Sequence, residues 1–315
     1  MIRHDPLAVR VAAIEPLSAT LKRLTLESAD GGALPIGSAG AHVSLILEGG
    51  DRPFRNAYSL VSMPGERGCY ELIVRRTAGS RGGSAFIHER LGEGSVIGAT
   101  VPHNLFPIQR HARKHLLIGG GIGITPLLSY LPALRQGGER LELHQISARD
   151  EVPLFENLLA PHAAHDVHVH AGRGALDLSA LLARQPLGTH VYVCGPAALM
   201  DHVEAAAAAL GWPASRVHRE NFGAAGGDPF TLRLARSGRE IAVGPDQSML
   251  DALEAAGVPV PSLCRGGACG ECLTKVTGGV PEHRDHYLTD LEKAEGALVM
   301  PCVSRAKNDL LVLDL

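Results

Sequence analysis

Four cysteines near the end of the chain constrain its fold more than any other feature. Three of them, Cys264, Cys269 and Cys272, stand at C-x4-C-x2-C spacing, and Cys302 follows well downstream. This spacing is typical of a plant-type [2Fe–2S] cluster, whose irons are held by four thiolates. The loop that contains them is rich in small residues, so backbone N–H groups can approach the cluster sulfurs. The pattern predicts a site for single-electron transfer.

Two other roles for these cysteines fit the sequence less well. A structural zinc site usually pairs its cysteines as two C-x2-C units, and only one such pair is present. A disulfide is not favoured, because residues 1–6 show no apolar stretch of a secretory signal. We therefore expect a protein of the reducing cytoplasm.

Length and charge exclude several other classes of protein. The 315 residues are enough for two or three domains. A net charge of −3 argues against nucleic acid as a partner, and no apolar run approaches the length of a membrane span. No motif specifies an oligomeric state, and a monomer is slightly favoured.

Composition divides the chain into three blocks and a linker. Residues 1–111 contain short alternating segments, such as the one from Tyr70 to Arg75, and predict an antiparallel β-barrel. Residues 112–223 alternate apolar strands with helical stretches, which predicts an α/β domain with a parallel sheet. A small-residue linker at 224–229 precedes residues 230–315, for which we expect an α+β ferredoxin-like β-grasp domain.

The barrel block carries two segments suited to an anionic cofactor. Arg55, Tyr58 and Ser59 form an R-x-x-Y-S segment, in which the arginine can meet a phosphate and the tyrosine can pack on an aromatic ring. Alone, this segment is equally compatible with a surface strand. The stretch from Val74 to Ser84 is basic and glycine-rich, so its N–H groups can form an anion site where a helix starts. A plain basic loop would have the same composition.

A glycine-rich turn and a Cys-Gly-Pro segment mark the α/β block. Gly119, Gly120 and Gly121 follow a strand and precede a helix, where glycines let a ligand approach the backbone. The turn lacks G-x-G-x-x-G spacing, and tight packing is its alternative explanation. Cys194 ends another strand, at the edge where open α/β sheets bind ligands, although a lone buried cysteine is more often a small apolar residue.

Taken in order, these motifs resemble those of the phthalate dioxygenase reductase family over essentially the whole chain. Members combine a flavin barrel like that of ferredoxin–NADP⁺ reductase, a pyridine-nucleotide domain and a ferredoxin. The resemblance implies that the flavin is FMN, and the lack of a distinct adenine site favours FMN over FAD. The residues that it implies for FMN are Arg55, Asn56, Tyr58, Ser59, Val74, Arg75, Gly82, Gly83 and Ser84.

The resemblance also implies a nicotinamide site and a set of catalytic residues. Phe222, in the segment Glu220-Asn221-Phe222, would lie near the flavin. Arg149 and Asp150 follow the second strand of the sheet, where an arginine suits the 2′-phosphate of NADPH and a carboxylate suits the 2′-hydroxyl of NADH. Asp150 favours NADH. The remaining nucleotide residues are Gly120, Gly121, Thr125, Cys194, Gly195 and Pro196, and the catalytic candidates are Ser59, Cys194 and Glu220.

We therefore expect an NADH-dependent oxidoreductase that takes two electrons into FMN and passes them singly through the [2Fe–2S] cluster. The acceptor would be a separate protein, because the chain has no Rieske, haem or mononuclear-iron motif of its own. The resemblance implies that this acceptor is a Rieske-type oxygenase. A cytochrome P450 partner is one alternative. Another is a zinc-stabilised binding module on a non-catalytic scaffold.

Four histidines lie close together in sequence within the α/β block: His162, His165, His168 and His170. No carboxylate pattern typical of a metal site accompanies them in the sequence. We interpret them as ordinary solvated side chains.

Overall fold

The computed structural model describes residues 6–49, 54–62, 68–77, 82–162, 166–222, 227–245, 247–263, 265–267 and 269–315. They divide into two compact units, Met1–Asn221 and Phe222–Leu315. The first unit holds both the predicted barrel and the predicted α/β block, so the division into three domains stays a prediction. Among the described residues, no helix has the length and apolar character that a membrane span needs.

The first unit begins with a six-stranded antiparallel sheet. Its strands and one helix are β1 (Leu7–Pro16), β2 (Leu21–Ser28), β3 (His42–Leu47), β4 (Phe54–Ser59), β5 (Tyr70–Arg75), α1 (Gly83–Glu89) and β6 (Val96–Ala99). Neighbouring strands follow the order β4-β3-β6-β1-β2-β5. A bridge between Leu60 and Leu72 joins the end of β4 to β5 and closes the sheet into a barrel. Apolar side chains from alternate positions, such as Val43 and Leu45, fill its interior.

The rest of the first unit is a parallel sheet with helices on both faces. Its elements are β7 (Lys114–Gly120), α2 (Thr125–Gln136), β8 (Leu141–Ser147), α3 (Val152–Leu159), β9 (Asp166–Ala171), α4 (Leu178–Ala183), β10 (Thr189–Cys194), α5 (Ala197–Ala209) and β11 (Val217–Glu220). The strand order is β11-β10-β7-β8-β9, and every pairing is parallel. The order reverses between β7 and β10, so ligands are expected at the carboxyl ends of these two strands.

Two apolar cores lie on opposite faces of this sheet, between the strands and the helices. Leu117 and Leu143 pack with α2 and α3 on one face, whereas Ile118 and Val193 pack with α4 and α5 on the other. Full burial of such a side chain contributes about 1.5 to 3 kcal/mol. Strands β7 and β10 are therefore apolar on both faces, which explains why the sequence shows their central parts as continuous apolar runs.

The second unit folds a mixed sheet over one helix. Its elements are β12 (Phe230–Leu234), β13 (Glu240–Val243), α6 (Met249–Ala255), β14 (Thr274–Gly278), β15 (Pro281–Glu282), α7 (Asp290–Glu295), β16 (Leu298–Val299), β17 (Arg305–Ala306) and β18 (Leu310–Leu313). The larger sheet has the order β13-β12-β18-β14-β16, with β12 and β18 parallel. Capping boxes at Ser248 and Thr289 start the two helices. Leu250 and Leu253 of α6 are buried against the sheet, as in a β-grasp fold.

The last part of the predicted linker is hydrogen-bonded to the second unit. Residues 223–226 lie outside the described part of the chain. The buried guanidinium of Arg305 donates to the carbonyl of Asp228 at 2.9 Å and to that of Gln247 at 2.7 Å. It also lies 5.1 Å from the centre of the Phe230 ring. Asp228, which the sequence assigned to the linker, is therefore held by the ferredoxin fold.

Candidate functional site

Strand β4 and the start of α1 meet at two glycines. A Cβ at Gly83 would collide with the side-chain amide of Asn56, and a Cβ at Gly82 would come within 2.7 Å of the Phe54 ring. Gly82 also has a φ of 105°, which favours glycine. Ser84 is buried and its Oγ accepts a hydrogen bond from the backbone N–H of Thr77 at 3.4 Å. The predicted anion-binding loop thus starts a helix beside β4, although residues 78–81 lie outside the described part.

The buried polar atoms of the barrel that have no hydrogen-bond partner among the described residues include Ser59 Oγ and Arg75 Nη2. The other terminal nitrogen of Arg75, Nη1, pairs with Glu151 Oε1 at 2.6 Å. Unpaired buried polar atoms are costly, and a hydroxyl and a guanidinium nitrogen suit a flavin ring edge and a phosphate. These atoms fit the expected FMN.

The other predicted flavin residues have varied environments. Arg55 is exposed on β4, whereas the Tyr58 side chain packs against the barrel core. Val74 is fully buried on β5, so only its backbone remains available to a ligand.

The predicted nucleotide turn interlocks with the Cys-Gly-Pro segment. A Cβ at Gly195 would come within 2.9 Å of the Gly120 Cα, and a Cβ at Gly123 would collide with the Cys194 carbonyl. Gly121 has a φ of 53°, and a Cβ there would have no described atom within 4 Å. Gln145 Nε2 donates to the Gly121 carbonyl at 2.9 Å. The turn is thus fixed by its hydrogen bond to Gln145, and the space beside the Cα of Gly121 is open. A nucleotide can bind in this space.

The ends of β10 and β11 bring two neutral acidic groups together. Cys194 and Glu220 are register partners on these strands. Glu220 is partly exposed as a residue, but its Oε2 is buried and has no hydrogen-bond partner among the described residues. Burial raises the pKa of Glu220 to about 8. Burial, and then Glu220 itself, raise the pKa of the Cys194 thiol. Both groups are therefore protonated at neutral pH.

The remaining nucleotide candidates differ in exposure. Arg149 and Asp150 lie exposed in the 3-10 turn Arg149–Glu151 that follows β8. The buried Thr125 hydroxyl donates to the Ile122 carbonyl at 3.0 Å, so it stabilises the start of α2. Pro196 is exposed at the start of α5. Phe222 is 49% exposed and is the first residue of the second unit.

Three of the four predicted cluster ligands are described, and Cys264 lies outside the described residues. Cys272 and Cys302 are buried with their Sγ atoms 3.2 Å apart, and Cys269 is half-buried. A disulfide bond measures about 2.05 Å, so these two sulfurs are neighbours without being bonded to each other. Converging thiol sulfurs in this spacing fit a [2Fe–2S] cluster.

Arg265 anchors the cysteine loop to helix α6. Its φ of 51° makes it the one residue other than glycine with positive φ in the described chain. Its guanidinium binds Glu254 Oε2 at 2.8 Å and Asp251 Oδ1 at 2.9 Å, with only 11% of the side chain exposed. These contacts fix the direction of the chain immediately after Cys264 in sequence.

Sequence reasoning missed three supporting residues: Gln145, Glu151 and the anchoring role of Arg265. Gln145 gave a weak signal, since a glutamine in a predicted interior strand of a parallel sheet needs a hydrogen-bond partner. Glu151 and the carboxylates around Arg265 gave none, because their contacts depend on how separate elements pack.

The fold and site together define a flavin-barrel reductase with a ferredoxin domain. Residues 232–307 match the family of 2Fe-2S iron-sulfur cluster binding domains, and residues 97–217 match the N-terminal domain of dimethylamine monooxygenase subunit DmmA-like proteins. The solved structure of phthalate dioxygenase reductase, described as modular for electron transfer from pyridine nucleotides to [2Fe–2S], aligns with a TM-score of 0.77 at 36% identity over 98% of each chain.

Two relatives are similar in sequence over nearly the full length of the chain. The heme-dependent oxidative N-demethylase beta subunit of Ectopseudomonas mendocina (strain ymp) is 44% identical over 98% of this chain and 99% of its own. The carnitine monooxygenase reductase subunit of Escherichia coli (strain K12) is 42% identical over 100% of both chains. This chain belongs to the phthalate dioxygenase reductase family of flavin iron–sulfur oxidoreductases. The predicted fold class and resemblance are confirmed, whereas the individual flavin and nucleotide residues stay predictions.

Proposed function

We propose that this chain carries electrons from NADH through FMN and a [2Fe–2S] cluster to a separate Rieske-type oxygenase. The observation that carries the proposal is the open turn at Gly121, beside which the neighbouring strands end in Cys194 and Glu220. Such a site at a topological switch point suits a nicotinamide nucleotide. The oxygenase-system names of the full-length relatives support a separate acceptor protein.

The barrel residues would bind and orient the flavin. Bound FMN supplies the conversion between a two-electron donor and a one-electron acceptor. Ser59 Oγ would donate to the ring edge, and Arg75 Nη2 would bind the phosphate with Arg55. The backbone N–H groups of the Gly82–Gly83 turn would donate to the same phosphate.

The sheet residues would position the nicotinamide and keep its surroundings uncharged. Gly121 lets the nucleotide approach the protein backbone closely, because it carries no side chain, and Gly195 lets the turn at Gly120 pack against the end of β10. Glu220 holds its proton at neutral pH, and the Cys194 thiol does the same. A neutral site does not repel the electron-rich reduced nicotinamide.

The choice of NADH rests on Asp150. Its exposed carboxylate follows β8, where it can accept hydrogen bonds from ribose hydroxyls and repel a 2′-phosphate. Arg149 beside it is the one group there that favours NADPH. Steady-state kinetics with both nucleotides test this part: a higher kcat/KM for NADPH would overturn it.

The cysteine loop would hold the electron carrier of the second unit. A [2Fe–2S] cluster carries one electron at a time. Cys264, Cys269, Cys272 and Cys302 would be its four ligands, with Arg265 bracing the loop. Thiols stay reduced most readily in the cytoplasm, so the proposal includes a cytoplasmic protein, which we take to act as a monomer.

Anaerobic titration of the purified protein tests the electron chain. NADH should bleach the flavin absorbance and then the cluster absorbance, with iron and acid-labile sulfide in equal amounts. A colourless protein with one zinc would support the non-catalytic alternative. Mixing the reduced protein with a Rieske oxygenase and with a cytochrome P450 identifies the acceptor. Electron transfer to the P450 alone would overturn the proposal of a Rieske-type partner, but it would not overturn the proposed reductase chemistry.

A further inference from the structure

Three histidines and two carboxylates share one face of the parallel sheet at its β9 edge. Strands β8 and β9 pair in register, so Glu142 lies opposite Asp166 and His144 opposite His168. Side chains two residues apart point to the same face, which adds His170 to the group. We call these five residues the imidazole cluster. The sequence interpretation of His168 and His170 as solvated residues did not include their contacts with β8.

The imidazole rings lie against one another. The ring centres of His144 and His168 are 4.8 Å apart, and those of His144 and His170 are 5.1 Å apart. His144 Nδ1 lies 2.8 Å from His170 Nε2. One nitrogen or oxygen from each of Glu142, His144 and His168 falls within 4.8 Å of the others. Polar atoms of Glu142, His144 and His168 therefore lie close together, and His170 Nε2 lies beside His144 Nδ1.

The carboxylates orient the rings in the way that metal-binding histidines require. His144 Nε2 pairs with Glu142 Oε1 at 2.8 Å, and His168 Nε2 pairs with Asp166 Oδ1 at 2.6 Å. Each carboxylate accepts from Nε2, so it leaves Nδ1 of the same ring as the basic nitrogen. Histidine ligands of metals usually donate their other ring nitrogen to a carboxylate in this manner.

We propose that the imidazole cluster binds one borderline divalent metal ion, with His144, His168 and His170 as ligands and Glu142 and Asp166 as their hydrogen-bond partners. Three nitrogen donors suit Zn²⁺, Ni²⁺ or Cu²⁺ and do not suit Mg²⁺ or Ca²⁺. Two nitrogens on one tetrahedral zinc stand about 3.3 Å apart at bond lengths of about 2.05 Å. The 2.8 Å between His144 and His170 needs a shift of only a few tenths of an ångström.

Local charge limits the affinity of this site without blocking it. Glu142 also pairs with Lys114 at 2.6 Å and with Arg184 at 2.9 Å, so its charge is already balanced. The Arg184 side chain is 58% exposed and can turn into solvent when a cation enters. His168 is 46% exposed, which leaves the site open from outside.

Calorimetric titration of the holoprotein with ZnCl₂ tests the proposal, since occupied cluster thiolates do not compete. Wild type should bind one equivalent that the double variant His168→Gln/His170→Gln binds at least about tenfold more weakly. His202→Gln, an exposed histidine on α5, is the matched control and should bind as wild type does. Both substitutions in the double variant lie on an edge strand, so folding is monitored by retained NADH–ferricyanide activity.

X-ray absorption at the zinc edge identifies the ligands directly. A first shell of nitrogen and oxygen with imidazole scattering supports the imidazole cluster. A sulfur shell would place the zinc on the cysteines and overturn the proposal. Equal affinity in wild type and in the double variant would overturn it as well. Neither result bears on electron transfer from NADH, which is measured separately.

Discussion

At the scale of single residues, Glu220 has the most unusual environment of the candidate site. Its Oε2 is buried without a hydrogen-bond partner in the described chain, at the end of the strand beside Cys194. Such a carboxyl group is retained at a cost to stability, because ionising it in the fold is unfavourable. A functional site is the usual place for such a group.

This environment predicts that Glu220→Gln changes how stability depends on pH. The pKa of Glu220 is about 8 in the fold against an ordinary value of 4.5, so the folded state holds its proton more tightly. Stability from this group is complete below pH 4.5 and falls as pH rises toward 8, by up to about 1.4 kcal/mol per pH unit. Glutamine cannot ionise. From pH 5 to pH 8.5, the variant should therefore gain at least about 1 kcal/mol relative to wild type.

Thermal unfolding of both proteins across this pH range measures the difference. Glu156→Gln, an exposed glutamate on α3, should follow the wild-type curve at every pH. Parallel curves for Glu220→Gln and wild type would show that the buried carboxyl group ionises normally.

Among the structural elements, the sequence predicted strands and helices in each block but few contacts between them. The alternation of Tyr70 to Arg75 is a local pattern, and the strand forms where the pattern places it. The capping box at Ser248 is also a local contact. The pairing of Arg75 with Glu151 and the stacking of His144 on His168 are not local. They depend on register and packing between distant segments, which no pattern within either segment encodes.

The pairing of β5 with the turn after β8 leads to a prediction about flavin binding. Arg75 uses one nitrogen for Glu151 and leaves Nη2 for a phosphate, which a lysine cannot do because it lacks the planar fork. Arg75→Lys should therefore weaken FMN binding about tenfold. Fluorescence titration of the flavin-free protein with FMN gives the dissociation constant. The neighbouring Arg76→Lys, whose side chain is 51% exposed, is the control. Equal losses in both variants would argue against a phosphate contact at Arg75.

The contacts of Arg265 with α6 should stabilise both the second unit and the cysteine loop. Arg265 reaches two carboxylates of α6 from a strained backbone position, and lysine would keep the strain and lose the two-pronged contact. Arg265→Lys should destabilise the second unit by about 1 to 2 kcal/mol and speed iron release to a chelator. Circular dichroism and the absorbance of the iron–chelator complex report these changes. Arg236→Lys, 71% exposed in the same unit, should change neither.

At the scale of the whole molecule, each unit buries its own core. The core of the second unit consists only of residues from Phe230 onward, and the three cores of the first unit end at Val217. Damage to one core therefore need not spread to the other. A substitution that removes the cluster should therefore leave the reduction of the flavin by NADH intact.

Loss of one cluster ligand provides the test of this separation. Cys269 is half-buried and lies outside the apolar core that contains Cys302, so Cys269→Ser should remove the cluster with little effect on folding. Reduction of ferricyanide by NADH uses the first unit and should stay within about twofold of wild type, whereas electron delivery to the oxygenase should fall at least about 100-fold. Glu295→Gln, an exposed change in α7, controls for a substitution in the second unit. A parallel loss of both activities in Cys269→Ser would mean that the flavin site depends on the cluster, and that the two units do not function independently.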